Sequence, residues 1–516
     1  MKKFTPLNVF SIMRKMKTFL IILIIILEAC LKVSKSPFDV SSPAGLSFAL
    51  LGGSSSTSSS GTGTTTSSGS NASGILALPT ISYNASPYSY TAATTVNITP
   101  TISSTISNCT VTPSLPSGLA LSPTTCIISG STTVGTFLTS YTITATNASG
   151  SATTTISIKG HGTNALYVYG QGGSFTTNSV NGGVGVCASV LNNALDIAFD
   201  ASQNIYVSDY ANNRALYYPA GNVLVTGDFA TGLYGQIGIY TNSAINAGGS
   251  PTSQTLYYPK GVVVDSSGGL YIADYHNNRV LYYTSGSTTA SRVYGQGGSF
   301  ITNTTGTSAT ALNLPIGLAL DSSGNLYVSD SGNNRVLYFP AGTTTATRVY
   351  GQGGSGTNFT ASSATVSATG LSGPAGLALD SSGNLYVADY NNSRVLFFPS
   401  GSVTATRVYG QAGSFTTNTI NNGGVSANSL ESPYGLLLDP SGNLYVSDYM
   451  NHRVLFYPVG TTTATRVYGQ ADTFTANTYN NGGISAKSLQ YPAGMVLDSN
   501  SFLYVMDSGN NRMLVY

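Results

Sequence analysis

The stretch Gly317-Leu-Ala-Leu-Asp-Ser-Ser-Gly-Asn-Leu-Tyr-Val-Ser-Asp-Ser-Gly-Asn-Asn-Arg-Val-Leu-Tyr-Phe339 decides the fold of this chain, because variants of it occur six times. The arginine of the stretch recurs at intervals of 65, 56, 59, 59 and 59 residues. The six arginines are Arg214, Arg279, Arg335, Arg394, Arg453 and Arg512. A period of about 40 to 60 residues with four short strand-like runs per unit is typical of a β-propeller, in which each unit forms one blade.

Each unit contains four short runs rich in Val, Leu, Tyr and Phe, residues that favour β-strands. In the third unit we predict strand a at Gly317–Asp321, strand b at Leu326–Asp330, strand c at Arg335–Phe339 and strand d at Arg348–Gln352. The Ser-Ser-Gly-Asn between strands a and b predicts a tight turn, with its glycine at a position that needs a positive φ. These motifs extend over residues 165–516, and they resemble NHL-type propeller repeats.

The count of strands predicts how the ring closes. Strands a, b and c occur six times, and the last strand c is Arg512–Tyr516. Six Tyr-Gly-Gln segments mark strand d, but the first of them, Ala165–Gln171, precedes every strand a. By elimination this segment completes the sixth blade. Pairing it with the last strand c removes the open edge that a ring of sheets would otherwise carry.

Residues 75–160 show a different pattern, with short alternating strands and regular turns that are typical of a small β-sandwich. The runs Leu115–Leu121, Ile127–Gly130 and Tyr141–Ala145 resemble the immunoglobulin-like modules of bacterial surface proteins. The predicted fold class is therefore all-β. A small immunoglobulin-like sandwich precedes a six-bladed propeller at residues 161–516, which is closed by its N-terminal strand.

Two of the four cysteines are candidates for a disulfide in an oxidising compartment. Cys109 and Cys126 lie 17 residues apart within the predicted sandwich, which favours a disulfide, with two buried thiols as the alternative. Cys187 has no evident partner, and we interpret it as a buried thiol. No Cys or His stands at the spacing of metal ligands, so we expect neither a metal nor a cofactor.

Residues 1–29 have the features of a signal peptide, with a basic start and an apolar run, Phe19–Leu27, too short to span a bilayer as a helix. Leu27-Glu-Ala-Cys30 resembles a bacterial lipoprotein box of the relaxed kind found in spirochaetes. That resemblance implies a lipid on Cys30 and an anchor in the outer membrane or at the cell surface. An ordinary signal peptide is the alternative. The Ser-, Gly- and Thr-rich residues 30–74 predict a flexible linker.

The charge balance argues against nucleic acid as a partner. Only 7% of the 516 residues are charged, and the formal net charge is +2. Without the predicted signal peptide, 15 basic and 17 acidic residues remain, which gives −2. No excess of basic residues is left to neutralise phosphates, so we expect no nucleic-acid partner.

Two repeated features are interpreted as structural. An Asp-x₄-Arg pair, such as Asp330 with Arg335, occurs in every unit at the same spacing, and six symmetric catalytic sites are implausible. If exposed, each pair contributes about 0–1 kcal/mol. The repeated glutamine, Gln352 in the third unit, is expected to satisfy backbone groups between blades.

Function is expected where the repeat is broken. The loops that join strand d to the next strand a are about 20 residues long and rich in Asn, Thr, Ser and Gly, with scattered Phe and Tyr. Loops of this length are usually functional or mobile. Their composition suits a glycan or protein ligand, since it combines amide, hydroxyl and aromatic groups. The alternative is that the loops only pack over the blades.

Single departures from the repeat are the candidate binding residues. Asp196 stands where the other five units have a glycine at the start of strand a. The residue just before this position is Lys260 in the second unit and Tyr434 in the fifth, and we predict that it lies at the mouth of the central channel. Asp196 and Lys260 fall in adjacent blades, so a ligand contact and an ion pair are both open, and we favour the ion pair. His276 and Glu431 complete the candidate set.

Catalysis has little support in the sequence. The chain has three histidines, and it contains neither a nucleophile elbow nor a phosphate-binding loop. We therefore predict a binding module at the cell surface or in the periplasm, not an enzyme. The alternatives are a hydrolase or lyase that uses Asp196 and Glu431, and a structural scaffold without a small ligand.

Overall fold

The structure is a computed structural model. It describes residues 77–84, 86–91, 94–132, 135–220 and 229–516. The described residues form two compact units, of which the first ends at Lys159 and the second contains Gly160–Tyr516. The predicted signal peptide, Cys30 and the predicted linker lie outside the described residues. In the described part of the chain, no helix has both the length and the apolar character needed to cross a membrane.

The second unit consists of six antiparallel sheets with four strands each, and these sheets are the blades of a propeller. Strand a is Asp196–Phe199, Pro259–Val264, Pro315–Leu320, Pro374–Leu379, Pro433–Leu438 and Pro492–Leu497. Strand b is Ile205–Asp209, Leu270–Asp274, Leu326–Asp330, Leu385–Asp389, Leu444–Asp448 and Leu503–Asp507. Strand c is Arg214–Tyr218, Arg279–Tyr283, Arg335–Phe339, Arg394–Phe398, Arg453–Tyr457 and Arg512–Val515. Strand d is Gly232–Tyr234, Arg292–Tyr294, Arg348–Tyr350, Arg407–Tyr409, Arg466–Tyr468 and Tyr167–Tyr169.

Short 3₁₀ turns join strand b to strand c in every blade. They are Tyr210–Asn212, Tyr275–Asn277, Ser331–Asn333, Tyr390–Asn392, Tyr449–Asn451 and Ser508–Asn510. Two further 3₁₀ turns, Val180–Gly183 and Ile245–Gly248, lie in the long loops between strand d and strand a.

The core of the propeller lies between successive blades. Tyr271 and Val280 of the second blade pack in one cluster with Leu318 and Val328 of the third. Strand b is buried at every position in all six blades, including Leu326–Asp330. A strand covered on both faces has no solvent-facing positions, which is why these strands are nearly continuous apolar runs.

The ring closes as the strand count predicts. Tyr167–Tyr169 pairs antiparallel with the last strand c, and Val168 lies opposite Leu514. The sixth sheet therefore takes its strand d from the N-terminal side of the propeller and its other three strands from the C-terminal end. This pairing confirms the closed six-bladed architecture and the all-β fold class.

In five of the six blades strand a begins two residues earlier than predicted, at a proline, whereas in the first blade it begins at Asp196 as predicted. In the third blade Pro315 lies opposite Asp330 and Leu318 opposite Val328, with a shift of register between the two pairs. Proline is tolerated next to such a bulge because the ladder is interrupted there and the missing N–H costs no hydrogen bond.

The Asp–Arg pairs are buried, so the small contribution expected for an exposed pair does not apply. In the third blade Arg335 Nε donates to Asp330 at 2.6 Å, and both side chains are 0% exposed. Arg335 Nη2 donates to the carbonyl groups of Ser308 and Ala311 in the preceding long loop, and Nη1 donates to that of Phe359 in the following one. One guanidinium group therefore holds two long loops against the blade.

The repeated glutamine satisfies backbone groups as predicted, but these groups lie in its own blade and in the loop that leaves it, and not in the neighbouring blade. Gln352 Nε2 donates to the carbonyl oxygen of Asn334 at 2.8 Å, and Oε1 accepts from the N–H of Ser363 at 3.0 Å. Strand d neighbours strand c of its own blade, so its end lies beside that blade's own b–c turn. The glutamine connects this turn to the loop that leaves the blade.

The residue that ends each b–c turn forms one of the hydrogen bonds between neighbouring blades. Asn334 Oδ1 accepts from the N–H of Gly373 in the next blade at 2.9 Å. In the fifth blade His452 occupies this position, and its Nδ1 accepts from the N–H of Tyr491 at 3.2 Å. Burial lowers the pKa of His452 to about 4, which keeps the imidazole neutral and able to accept. His452 therefore has a structural role.

The first unit contains three sheets. One sheet orders Tyr88–Thr91, Gly150–His161, Thr136–Asn147 and Asn108–Thr112; a second orders Val96–Ile98, Ile128–Gly130 and Leu119–Leu121; the third pairs Ile81–Ser82 with Thr101–Ile102. Ile98 and Ile128 of the second sheet share one buried core with Ile143 and Ile158 of the first. The sheets therefore pack face to face, as in an immunoglobulin-like sandwich.

A disulfide joins Cys109 and Cys126, whose Cα atoms are 5.4 Å apart. In the chain-entropy model, closing a loop of this size stabilises a fold by about 3 kcal/mol. Cys187 of the propeller is a buried free thiol.

Candidate functional site

The central channel of the propeller is lined by the six a strands and encloses a cavity of about 310 Å³. In five of these strands the third residue is a glycine, and at that position the next blade leaves no room for a Cβ atom. A Cβ atom on Gly317 would collide with the carbonyl oxygen of Ala375, and one on Gly435 with that of Ala493. The first blade instead carries Asp196, one of whose carboxylate oxygens accepts a hydrogen bond from the N–H of Val262 at 2.9 Å.

Asp196 is the one charged side chain among the described residues that line the channel. Burial raises the pKa of its carboxyl group to about 7, although the backbone N–H groups of Val262 and Ile197 oppose the shift. The burial of Asp196 therefore favours the neutral form of its carboxyl group more than exposure to water would.

A second cavity of about 310 Å³ lies where the channel opens toward the long loops, and we refer to it as the mouth. It shares Ile316 and Tyr434 with the channel cavity. The residues that line the mouth are Asn193, Leu195, Tyr210, Lys260, Tyr275, Ile316, Ser331, Gly373, Tyr390, Asn391, Tyr434 and Tyr449. Lys260 and Tyr434 therefore lie where the repeat pattern places them.

Two groups of aromatic rings form opposite walls of the mouth. In the fourth and fifth blades, the ring centroid of Tyr434 is 5.4 Å from that of Tyr449 and 6.4 Å from that of Tyr390. Tyr390 and Tyr449 each begin a b–c turn. The residues at the same position in the first and second blades, across the ring, are Tyr210 and Tyr275. Serine takes the tyrosine position in the third and sixth blades, so the two aromatic walls are separated by small side chains.

Tyr434 carries an unpartnered polar group at the junction of the two cavities. Its hydroxyl group is buried and has no hydrogen-bond partner. Burial raises its pKa well above the usual value, and the nearby Tyr449 and Asp196 add to the shift. The phenol is therefore neutral at physiological pH and can donate to a ligand.

Lys260 does not form the predicted ion pair with Asp196. Its Nζ atom lies 3.8 Å from the ring centroid of Tyr275 and 5.8 Å from that of Tyr210. The ion pairs among the described residues are the six buried Asp–Arg pairs. Lys260 precedes the position equivalent to Asp196 by one residue, and successive residues of a strand point to opposite sides. Burial lowers the pKa of Lys260 to about 8.

His276 and Glu431 line neither cavity. His276 packs against the rings of Tyr257 and Tyr275, with both centroid distances at 4.8 Å, and burial together with the charge of Lys260 lowers its pKa. Glu431 accepts a hydrogen bond from Asn421 Nδ2 at 2.9 Å. Glu431 therefore does not share the channel cavity with Asp196.

The sequence pattern missed Tyr210, Tyr275, Tyr390 and Tyr449. Each of these tyrosines follows the repeated aspartate at the end of strand b, so the sequence pattern indicates only that it belongs to the repeat. Serine at this position in two units was the available signal, because a position that changes only in some blades marks broken symmetry.

The long loops pack on the blades and also expose apolar side chains. The buried arginines hold the loops, yet Ile237 is 58% exposed, Ile301 74%, Ile420 60% and Tyr479 60%. No group of three or more His, Cys, Asp or Glu side chains in the described ranges could hold a metal ion.

Family models match both parts of the chain. The model described as "NHL repeat" matches residues 256–283, 312–339 and 371–398, and that described as "Putative Ig domain" matches residues 72–159. The chain thus carries NHL repeats in a β-propeller and an immunoglobulin-like domain on the N-terminal side. No curated protein sequence matches it.

Among solved structures, a protein of unknown function from Bacteroides thetaiotaomicron is similar at 16% identity and a TM-score of 0.43, over 84% of this chain and 98% of that one. A streptogramin B lyase is similar at 12% identity and a TM-score of 0.37, over 63% and 93%. A virginiamycin B lyase from Staphylococcus aureus is similar at 10% identity and a TM-score of 0.36, over 62% and 94%. These values carry no inference about ligand or activity.

Proposed function

We propose that this chain is an exported protein that binds a carbohydrate in the mouth of its propeller without catalysing a reaction on it. The observation that carries the proposal is the pair of tyrosine walls around the mouth. Four of these tyrosines begin b–c turns, and Tyr434 joins them from strand a. They meet where the repeat is broken, which is where a symmetric scaffold acquires a specific site.

The chemistry of the mouth suits a sugar. The face of a tyrosine ring is electron-rich, so the weakly positive C–H groups of a sugar ring can pack against it. The amide groups of Asn193 and Asn391 and the hydroxyl group of Tyr434 supply hydrogen bonds of fixed direction. A pocket lined mainly by aromatic groups with a few placed polar groups is typical of small-ligand sites.

The gaps between the two aromatic walls favour an oligosaccharide over a monosaccharide as the ligand. Ser331 and Ser508 replace tyrosine in the third and sixth blades, which face each other across the ring. An elongated ligand can therefore lie between the walls and extend over the blades with small residues. The exposed side chain of Ile301, on the long loop that leads into the third blade, provides a further contact outside the mouth.

Replacing Tyr449 by alanine is expected to weaken carbohydrate binding about tenfold or more, because a central aromatic contact is lost. The measurement is isothermal titration of the purified protein with oligosaccharides that bind in a glycan-array screen. The matched control is Tyr479→Ala, which removes a tyrosine that is 60% exposed on a long loop. Thermal unfolding of both variants establishes that they remain folded.

Three outcomes would contradict the proposal. Equal affinities for the Tyr449→Ala and Tyr479→Ala variants would place the ligand elsewhere. If the protein bound another protein in a parallel screen and bound nothing on the glycan array, a protein ligand would be favoured. If no binding were detected in either screen, a structural scaffold would be favoured.

We further propose that the mature protein is a lipoprotein of the outer membrane or cell surface, anchored through Cys30. The proposal is supported by the lipoprotein-like Leu27-Glu-Ala-Cys30 and by the Cys109–Cys126 disulfide, which is stable in an oxidising compartment. Mass spectrometry of the mature protein is expected to find an N-terminal peptide that begins at an acylated Cys30. The Cys30→Ser variant should lose the modification and the membrane fraction. An unmodified peptide running through Cys30 would exclude the anchor.

A further inference from the structure

Among the described residues that line the mouth, Lys260 carries the one charged side chain. No carboxylate of the described residues forms an ion pair with it. A largely buried ammonium group without a counter-ion is unfavourable, and a ligand that brings a negative charge removes that cost.

The fold itself does not require a lysine at this position. The equivalent residues in the other blades are Leu195, Ile316, Ala375, Tyr434 and Ala493, all uncharged. The ammonium group is also held in place, since Nζ lies 3.8 Å from the ring centroid of Tyr275. A charge that the scaffold does not use, fixed at the rim of a ligand cavity, is a recognition group.

We propose that the carbohydrate is acidic and that the carboxylate of a uronic acid residue pairs with the ammonium group of Lys260. This inference rests on the proposed function. The unpartnered hydroxyl group of Tyr434 and the amide group of Asn193 are the neutral donors available to the same ligand. One fixed positive charge matches one carboxylate, whereas phosphate or sulfate groups are usually bound by several cationic groups or by helix N-termini.

The groups around Lys260 set the pH range of this contact. It faces the rings of Tyr210 and Tyr275 and the imidazole of His276, whose pKa is lowered. Asp196 lies in the channel, bonded to the N–H of Val262. Burial lowers the pKa of Lys260 to about 8, so the ammonium form predominates at pH 7 and is lost as the pH rises to 9. Affinity for an acidic sugar should fall over the same interval.

The test compares trigalacturonic acid with its methyl ester, which removes the charge and keeps the sugar chain. At pH 7 the full-length protein is expected to bind the acid about tenfold or more tightly than the ester, the effect of one charge-assisted contact. The Lys260→Leu variant, which carries the residue of the first blade, should bind both forms with the weaker affinity. Thermal unfolding checks that this variant is folded.

A second variant separates charge from packing. Lys260→Arg retains a positive charge that does not titrate below pH 9. Its preference for the acid is expected to persist at pH 9, where the preference of the natural protein is lost. This result depends on the ionisation of residue 260, and a purely structural role would not produce it.

Several results would overturn the inference. Equal affinity for acid and ester, or a preference that survives in Lys260→Leu, would exclude pairing with Lys260. Binding of neutral oligosaccharides alone would leave the proposed function standing and reject the acidic ligand. Binding of an oligoglutamate peptide but of no sugar would reject both, and would identify the occupant as an acidic peptide.

Discussion

Replacing Arg335 by leucine is expected to lower the free energy of unfolding by about 3–5 kcal/mol, which makes it one of the most damaging single changes available. The substitution leaves the carboxylate of Asp330 buried without its counter-ion. It also leaves the carbonyl groups of Ser308 and Ala311 without the donor that holds the preceding loop. Chemical denaturation followed by tyrosine fluorescence or circular dichroism measures the loss.

The matched control is Arg348→Leu in the same blade. Arg348 is partly exposed, and its guanidinium group stacks at 5.2 Å from the ring centroid of Tyr338. Removing it should cost about 1 kcal/mol or less, because water solvates the groups that remain. If the two variants lost the same stability, the buried network would not be the reason for the repeated arginine.

The Arg335→Leu substitution is also expected to loosen the long loops on either side of the third blade. The following long loop is held through the carbonyl group of Phe359, so its order depends on the same guanidinium group. Limited proteolysis should therefore cut the loops on either side of the third blade in this variant, and leave them intact in Arg348→Leu.

Replacing Val168 by aspartate is expected to release the strand that closes the ring. Val168 is 0% exposed and pairs opposite Leu514 in the sixth blade. Burying a carboxylate there without a partner should cost about 3 kcal/mol or more, and separation of the strand is the way to avoid that cost. Thermal unfolding should show a lower Tm, and protease should cut near residues 160–171.

Val459→Asp is the control, because Val459 is 64% exposed in the turn that follows a strand c. The same substitution at this position should change stability by about 0.5 kcal/mol or less. A Val168→Asp variant as stable and as protease-resistant as Val459→Asp would mean that the N-terminal strand contributes nothing to ring closure.

The number of blades and the closure of the ring could be predicted because every blade packs between two neighbours in the same way. Strands such as Leu326–Asp330 are covered on both faces by neighbouring blades, so their apolar pattern recurs in each unit. Counting the runs then assigned Ala165–Gln171 to the sixth blade. The glycine near the mouth-side end of strand a also recurs in five units of the sequence. The physical reason is that the next blade leaves no room for a Cβ atom there.

The paths of the loops could not be predicted. The acceptors that hold them, such as the carbonyl groups of Ser308 and Phe359, belong to the backbone. Every residue has a carbonyl group, so no pattern of side chains marks which ones receive a hydrogen bond. The failed ion pair has a different cause: Lys260 precedes the position equivalent to Asp196 by one residue, and the alternation of side chains along a strand, which the sequence already gives, directs the two side chains to opposite sides.

The sequence by itself determined the all-β class, the six blades, the strand that closes them and the positions that surround the channel, because these follow from a repeated local pattern. Only the tertiary structure decided which of those positions form a site. Tyr275 and Tyr434 lie 159 residues apart in the chain, and ring closure places their blades, the second and the fifth, on opposite sides of one cavity. Local propensity sets each strand, but which side chains meet at one cavity depends on the packing of all six blades.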